Sequence, residues 1–332
     1  MILSTYLLVA VSQMNLRYAV GRMRETVLSM KNLTKKYNSV YALNNVTMEI
    51  KQGEIYGLVG KNGAGKTTLL RLITGQAYPT EGEFSLFQTY GEGPMNRERK
   101  KIGAIIESPS FYSYLTAEQN LEYYRLQRGI PGKNCVSEVL KEVGLSDTGN
   151  KKYKSFSLGM KQRLGLALAL MNNPDFLLLD EPINGLDPFG IVEIRNLLLQ
   201  LNQEKHITIL ISSHILSELS SLVTNYGFIH NGNMVKQLSH DELLKECNKY
   251  LELRVDQVEK MTALLEQKLS NISYKVTPDY AIQVYGYLDE PSVISELAVN
   301  NGVKLNGIKL KELDLENYFI QLVGGKNNDS VH

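Results

Sequence analysis

Gly60-Lys61-Asn62-Gly63-Ala64-Gly65-Lys66-Thr67 follows the apolar run Ile55-Tyr56-Gly57-Leu58-Val59 and precedes an apolar helical pattern from Thr68 through Ile73. A glycine-rich octet between a strand and a helix is the context in which G-x-x-x-x-G-K-[ST] cradles phosphate. The glycines let the backbone curl so that successive N–H groups face one anion. A helix starting near Lys66 aims its positive dipole end at the same point. The pattern then predicts that Lys66 reaches the β and γ phosphates of a nucleoside triphosphate and that the Thr67 hydroxyl meets Mg²⁺. Gly60 to Thr68 are therefore the first candidate ligand residues.

On the amino side, Thr26 to Lys31 and Val46 to Ile50 read as strands, the second alternating as an exposed strand should. On the carboxyl side, turn signals at Pro79-Thr80-Glu81-Gly82 and Gly91-Glu92-Gly93-Pro94 flank a short strand, Glu83 to Phe87. Ile102-Gly103-Ala104-Ile105-Ile106 is a buried strand candidate that runs into Glu107-Ser108-Pro109 and the aromatic stretch Phe111-Tyr112-Ser113-Tyr114. That stretch suits either core or a partner-facing patch. Thr116 with Gln119 predicts a capping box. The helix it opens ends at Gly129-Ile130-Pro131-Gly132, and a second runs from Val136 to Val143.

Lys154-Ser155-Phe156-Ser157-Leu158-Gly159-Met160-Lys161-Gln162-Arg163 opens a long helix, and Ser157 with Gly159 makes a second helix start suited to an anion. Phe176-Leu177-Leu178-Leu179 then reads as a strand buried on both faces, ending in Asp180-Glu181. An acidic pair at the carboxyl end of such a strand lies where open α/β sheets bind ligands. Asn184-Gly185-Leu186-Asp187-Pro188 precedes a helix from Ile191 to Leu201, and a further strand, Ile207 to Ile211, delivers Ser212-Ser213-His214.

These motifs, together and in this order, resemble the nucleotide-binding subunit of an ATP-binding cassette (ABC) transporter over about residues 26 to 240. Ile-Glu-Ser-Pro in place of a Gln-bearing loop, and Phe-Ser-Leu-Gly-Met-Lys-Gln-Arg in place of Leu-Ser-Gly-Gly-Gln, are similar to bacitracin-export and lantibiotic-immunity ATPases. The resemblance implies an α/β phosphate-loop ATPase core, a mixed sheet with a helical subdomain at about 108–173. It implies that Asp180 holds Mg²⁺ with Thr67, that Glu181 polarises the attacking water and that His214 senses the γ-phosphate. Tyr37 would stack on adenine, an aromatic face holding a base without reading its edges. Ser157 and Gly159 would contact ATP held by a second subunit in a head-to-tail homodimer, with Asp187 coupling the two sites. Glu107, where most cassettes carry Gln, is expected on the metal side, where its charge sits beside phosphate. Leu158-Gly159-Met160 lacks the paired glycines of the usual signature.

The chain of 332 residues carries 36 basic and 35 acidic residues, so its net charge of +1 gives no bulk attraction to nucleic acid. Cys135 and Cys247 have neither metal-ligand nor disulfide spacing, which fits a reducing compartment. No window of 18 apolar residues occurs, so a separate integral-membrane permease is the expected partner. Placement is then peripheral, on the cytoplasmic face of the membrane.

Residues 1–25 form an expected extension. Its favoured reading is translation from upstream of Met23, and its competitor is a membrane-surface anchor. The ATPase domain is expected over 26–245. An accessory α+β domain follows at 246–324, where β-α-β-β-α-β-α patterning suggests a ferredoxin-like module. A polar tail at 325–332 is expected to be disordered. The function these features imply is an ATPase, binding ATP and Mg²⁺, that energises removal of a peptide antibiotic. The competing readings are export of another hydrophobic cargo and a regulatory ATP-binding module. The 91 positions from Lys66 to Ser157 leave no room for the long heptad insertion of a chromosome-associated ATPase.

Overall fold

The computed structural model describes residues 25–107, 110–247, 249–269, 272–312 and 315–324, with Glu312 described by its backbone alone. The expected extension over 1–24 and the tail over 325–332 lie outside the described residues. The chain divides into two compact units: one runs to His214 and takes in Ser221–Gln237, and the other comprises Ile215–Ser220 and the chain from Leu238.

The first unit begins with β1 (Thr26–Tyr37), β2 (Val40–Lys51), β3 (Ile55–Val59) and α1 (Lys66–Thr74). There follow β4 (Glu81–Leu86), β5 (Thr89–Tyr90), α2 (Glu92–Glu98) and β6 (Ile102–Ile105). The helices α3 (Ala117–Gln127), α4 (Asn134–Glu142) and α5 (Leu158–Leu170) come next, then β7 (Phe176–Asp180), α6 (Pro188–Lys205) and β8 (Thr208–Ser213). Past the four-residue α7 (Leu216–Leu219), which belongs to the second unit, come β9 (Asn225–His230) and β10 (Asn233–Ser239).

Two sheets result: an antiparallel set in the order β2-β1-β4-β5 and a six-stranded set in the order β10-β9-β3-β8-β7-β6. Within the latter, β3 is parallel to both β8 and β9, β7 to β8, and β6 to β7. Covered on both faces, β3 is buried throughout, and β7 is buried up to Leu179, so these strands read as continuous apolar runs rather than alternating ones. Helix α1 buries Leu69, Leu70, Leu72 and Ile73, which join Leu58, Phe176, Leu178 and Leu210 in one core. The parallel strands thus deliver their carboxyl ends to one edge of the sheet, and the phosphate loop lies on that edge.

The second unit contains α8 (His240–Glu246), β11 (Lys249–Val255), α9 (Val258–Lys268), β12 (Tyr274–Val276) and β13 (Ile282–Val284). It ends with α10 (Pro291–Asn300), β14 (Leu305–Glu312) and α11 (Leu315–Gly324). Its sheet order is β12-β13-β11-β14, and all three neighbour pairs are antiparallel. Met261 and Leu265 of α9 and Ile294 and Ala298 of α10 pack on Leu251, Leu253, Ile282 and Val284. Glu316 at the start of α11 accepts hydrogen bonds from the Ser217 backbone N–H (2.9 Å) and hydroxyl (2.7 Å) on α7.

Candidate nucleotide site

The loop is held by its own backbone. Val59 is the last ladder residue of β3, opposite Ser213 and Phe228, and the Gly60 N–H donates to the Ser213 carbonyl at 3.2 Å. A Cβ at Gly60 would stand 2.5 Å from the Ile229 carbonyl, and one at Gly65 would stand 2.6 Å from the Ala42 carbonyl. Gly65 also has φ +111°, so both positions admit glycine alone. No side chain caps the N-terminus of α1, which leaves its first N–H groups for a ligand. A cleft of about 220 Å³ is lined by Ala42, Asn62 to Thr68 and Glu181.

Five residues complete this edge. The Lys66 ammonium, on a residue 5 % exposed, donates to the Gly60 carbonyl at 2.6 Å and the Lys61 carbonyl at 3.3 Å. It also stands 3.1 Å from Glu181 Oε1. The Thr67 hydroxyl donates to Asp180 Oδ2 at 2.7 Å, and the buried Ser212 hydroxyl donates to Asp180 Oδ1 at 2.5 Å. Ser212 Oγ in turn accepts from the Glu181 backbone N–H at 3.0 Å, so one hydroxyl fixes both acids.

Glu181 leaves β7 in the left-handed region, at φ +49°. Its Oε2 lies 2.6 Å from His214 Nδ1, so Nδ1 carries the hydrogen and Nε2 is left as the imidazole's second functional atom. Its Oε1, although close to Lys66, is buried with no hydrogen bond of acceptable geometry. The distance supports Coulomb attraction without a directed bond, and a buried carboxylate oxygen in that condition calls for a polar guest.

The remaining sequence candidates stand in other places. Tyr37 ends β1 at 45 % exposure with the Lys35 ammonium 4.7 Å from its ring centroid, and it is not among the cleft-lining residues. Glu107, at φ +65°, pairs with Arg71 of α1, one turn beyond Thr67. Ser157 caps α5 by accepting from the Met160 N–H at 3.3 Å, and Asp187 caps α6 by accepting from the Gly190 N–H at 2.7 Å. The Leu158 side chain lies 3.3 Å from the Cβ position of Gly185, so the stretches around Ser157, Gly159 and Asp187 meet each other. None of the three lines this chain's own cleft.

Thr67 and Asp180 offer a hydroxyl and a carboxylate side by side, the oxygen donors a hard divalent cation takes. Among the described residues no three His, Cys, Asp or Glu converge on a metal position. That donor set fits a Mg²⁺ whose remaining ligands are phosphate oxygens and water, and does not fit an all-protein metal cage.

Three working side chains carry no motif signal. Ser212 lies within β8, two positions before His214, and its place in the sequence assigns it no role. Arg71 is an ordinary helix cation whose partner is 36 positions away. Asn120, fully buried, accepts from the Tyr112 N–H at 2.8 Å and donates to the Tyr112 and Thr116 carbonyls at 3.2 and 2.9 Å. An Asn inside a helix, directly after the Gln119 of a capping box, is the one sequence signal that could find it.

A parallel-stranded core with a phosphate loop, a Thr–Asp pair and a Glu–His pair at one edge defines a phosphate-loop ATPase. The family model described as ABC transporter matches residues 43–184. The bacitracin transport ATP-binding protein BcrA of Bacillus licheniformis is 43 % identical over 303 residues, 90 % of this chain and 98 % of its own. The lantibiotic transport ATP-binding protein SrtF of Streptococcus pyogenes is 42 % identical over 65 % of this chain and 92 % of its own. Among solved structures, the dimeric cassette MJ0796 bound to ADP and Pi superposes with TM-score 0.57 at 28 % identity, over 64 % of this chain and 98 % of its own. The chain belongs to the ABC transporter ATP-binding family: it is an ATP-binding subunit and an ATPase, related to the bacitracin and lantibiotic transport ATPases.

Proposed function

We propose that this subunit works as a head-to-tail homodimer bound to a membrane permease, and that its ATP hydrolysis drives export of a membrane-active peptide antibiotic. The observation that carries the catalytic reading is Glu181 between Lys66 (3.1 Å) and His214 (2.6 Å), with one buried oxygen lacking a hydrogen bond. The β and γ phosphates compete with Glu181 for the Lys66 ammonium. Once Lys66 turns to phosphate, Glu181 accepts the proton of the attacking water, a general-base contribution of about 10²–10⁴ in rate. His214 holds the Glu181 carboxylate through Nδ1, and as the imidazolium it would donate its Nε2–H to the γ-phosphate. The backbone N–H groups of Asn62 to Thr68 orient the phosphate chain, and Tyr37 is assigned to the adenine face. Thr67 and Asp180 would hold Mg²⁺, with Glu107 assigned to the metal side, and the ion would supply neutralisation of phosphate charge.

The homodimer reading rests on Ser157, Gly159 and Asp187 standing together away from their own chain's cleft. The permease reading rests on two facts. Among the described residues no helix is long and apolar enough to cross a membrane, and the loop leaving Glu107 carries an aromatic cluster. In that cluster Phe111 packs on Tyr124 and Tyr153, and Tyr112 on Tyr114 and Tyr123. Tyr114 is 64 % exposed at its edge. Bacitracin or lantibiotic cargo is carried over from the two relatives named above, and the complex would sit on the cytoplasmic face.

The test of the catalytic assignment is Glu181→Gln in the purified protein: turnover falls at least about 10²-fold while ATP still binds. Retained hydrolysis would remove Glu181 from the base role. Cargo is tested on the complex with its permease in membranes, by asking whether bacitracin or a lantibiotic stimulates ATPase above basal.

A further inference from the structure

Helix α1 carries two cations, and each meets one acid. Lys66, its first residue, pairs with Glu181, and Arg71, five positions on, pairs with Glu107. The two acids are placed alike. Each follows a strand of the parallel sheet, β6 for Glu107 and β7 for Glu181, and these strands are neighbours. Each adopts a left-handed backbone, at φ +65° and +49°. A non-glycine residue avoids that region unless something holds it there.

The pairs differ in burial. Lys66 and Glu181 side chains are 6 % and 21 % exposed, whereas Arg71 and Glu107 are 40 % and 66 % exposed. The inner pair is shielded, while water and salt screen the outer one. A screened ion pair yields readily to a stronger competitor, and a divalent cation is such a competitor for a carboxylate. Arg71 lies one helical turn beyond Thr67, so the Arg71–Glu107 pair stands on the flank of α1 that carries Thr67.

We propose that Arg71 is a positioning residue that holds the Glu107 carboxylate off the metal position until Mg²⁺-nucleotide arrives. By competing for Glu107, it raises the Mg²⁺ concentration at which the site fills. This rests on the metal-side reading of Glu107 given above. The arrangement also answers the charge problem that a carboxylate at this position creates. With no metal bound, an unpaired Glu107 would repel the incoming triphosphate, and the guanidinium neutralises it.

The test is binding, separate from turnover. A fluorescent ATP analogue is titrated with Mg²⁺ on the purified full-length protein, and the Mg²⁺ midpoint is compared for Arg71→Gln, Arg71→Lys, Glu107→Gln and the double variant. Glu107→Gln is expected to raise the midpoint about threefold and Arg71→Gln to lower it about threefold, the size an exposed ion pair supports. The double variant should match Glu107→Gln alone, because Arg71 acts through that carboxylate, and Arg71→Lys should stay near wild type. A shifted Glu107→Gln beside an unshifted Arg71→Gln overturns the role of Arg71 while leaving Glu107 at the metal. An unshifted Glu107→Gln overturns both assignments. An Arg71→Gln shift that persists in the Glu107→Gln background means that Arg71 acts on the phosphate directly, and overturns the holding role.

Discussion

Lys66 turns back into its own loop, bonded to the Gly60 and Lys61 carbonyls and facing Glu181, so the site is internally charge-compensated before nucleotide arrives. On the catalytic reading proposed above, breaking that compensation would be part of binding and would link phosphate arrival to release of the base. Ser212 controls the geometry of both acids, through its donation to Asp180 and its acceptance from the Glu181 N–H. Ser212→Ala is therefore expected to lower kcat about 10- to 100-fold, the usual cost of losing a partner that orients a reacting group. The KM for ATP should change little, because no cradle N–H is lost. Steady-state kinetics on the purified subunit checks the split, and a change confined to KM would refute it. Lys66, Thr67, Asp180, Glu181 and His214 were legible in the sequence because each sits at a fixed offset in a strand–loop–helix or strand-end motif. Ser212, Arg71 and Asn120 were not, because their work depends on partners that only the folded chain brings within reach.

The elements differ in how they announced themselves. The capping boxes at Thr116/Gln119 and Ser239/Glu242 form with both reciprocal bonds, because cap chemistry is local and needs no tertiary partner. Only the first half of β1 was read as a strand. Register shifts against β2 between Met30 and Leu33, and again beyond Leu33, break the alternation on which such a reading depends. Strand β9 carries no local signal. Asn225-Tyr226-Gly227-Phe228-Ile229-His230 is short and glycine-bearing, and its place is set by parallel pairing with β3, some 170 positions away. Gly227 there lets the Tyr56 ring lie against the backbone, with the ring oxygen 2.4 Å from where a Cβ would be. Helix α3 does more than pack. Its Asn120 pins the loop that carries Tyr112 through three hydrogen bonds in a fully buried place. Asn120→Ala leaves the Tyr112 N–H without its partner, while the Tyr112 and Thr116 carbonyls keep the Leu115 and Asn120 backbone N–H groups, at a cost of about 2 kcal/mol. A melting temperature lower by roughly 4–8 °C follows for a unit of this size. Thermal unfolding followed by circular dichroism checks this, and a shift under a degree would show that the loop does not need the pin.

At the scale of the whole molecule, the proposed homodimer turns on residues that stand outside their own chain's cleft. The cleft is lined by Asn62 to Thr68 and Glu181, while Ser157, Gly159 and Asp187 gather elsewhere beside Leu158, 46 % exposed, and Phe189, 84 % exposed. If those groups serve the partner's nucleotide, two chains with different defects can restore each other. A Lys66→Ala chain has a damaged cradle and an intact signature, and a Ser157→Arg chain has the reverse, so each is inactive alone. In their heterodimer the Ser157→Arg chain's cradle faces the Lys66→Ala chain's signature, forming one intact site, while the other site carries both defects. Random pairing makes half of the dimers mixed, and each mixed dimer has one working site of two. An equimolar mixture is therefore expected to regain about a quarter of wild-type ATPase activity, as a closed two-fold assembly with shared sites requires. Equimolar co-expression of two differently tagged chains, with activity measured before and after tandem purification of the heterodimer, reads this directly. The purified heterodimer should show about half of wild-type activity. Activity no greater than the two variants measured apart would mean that each chain builds its site alone, and would remove the shared-site dimer from the mechanism.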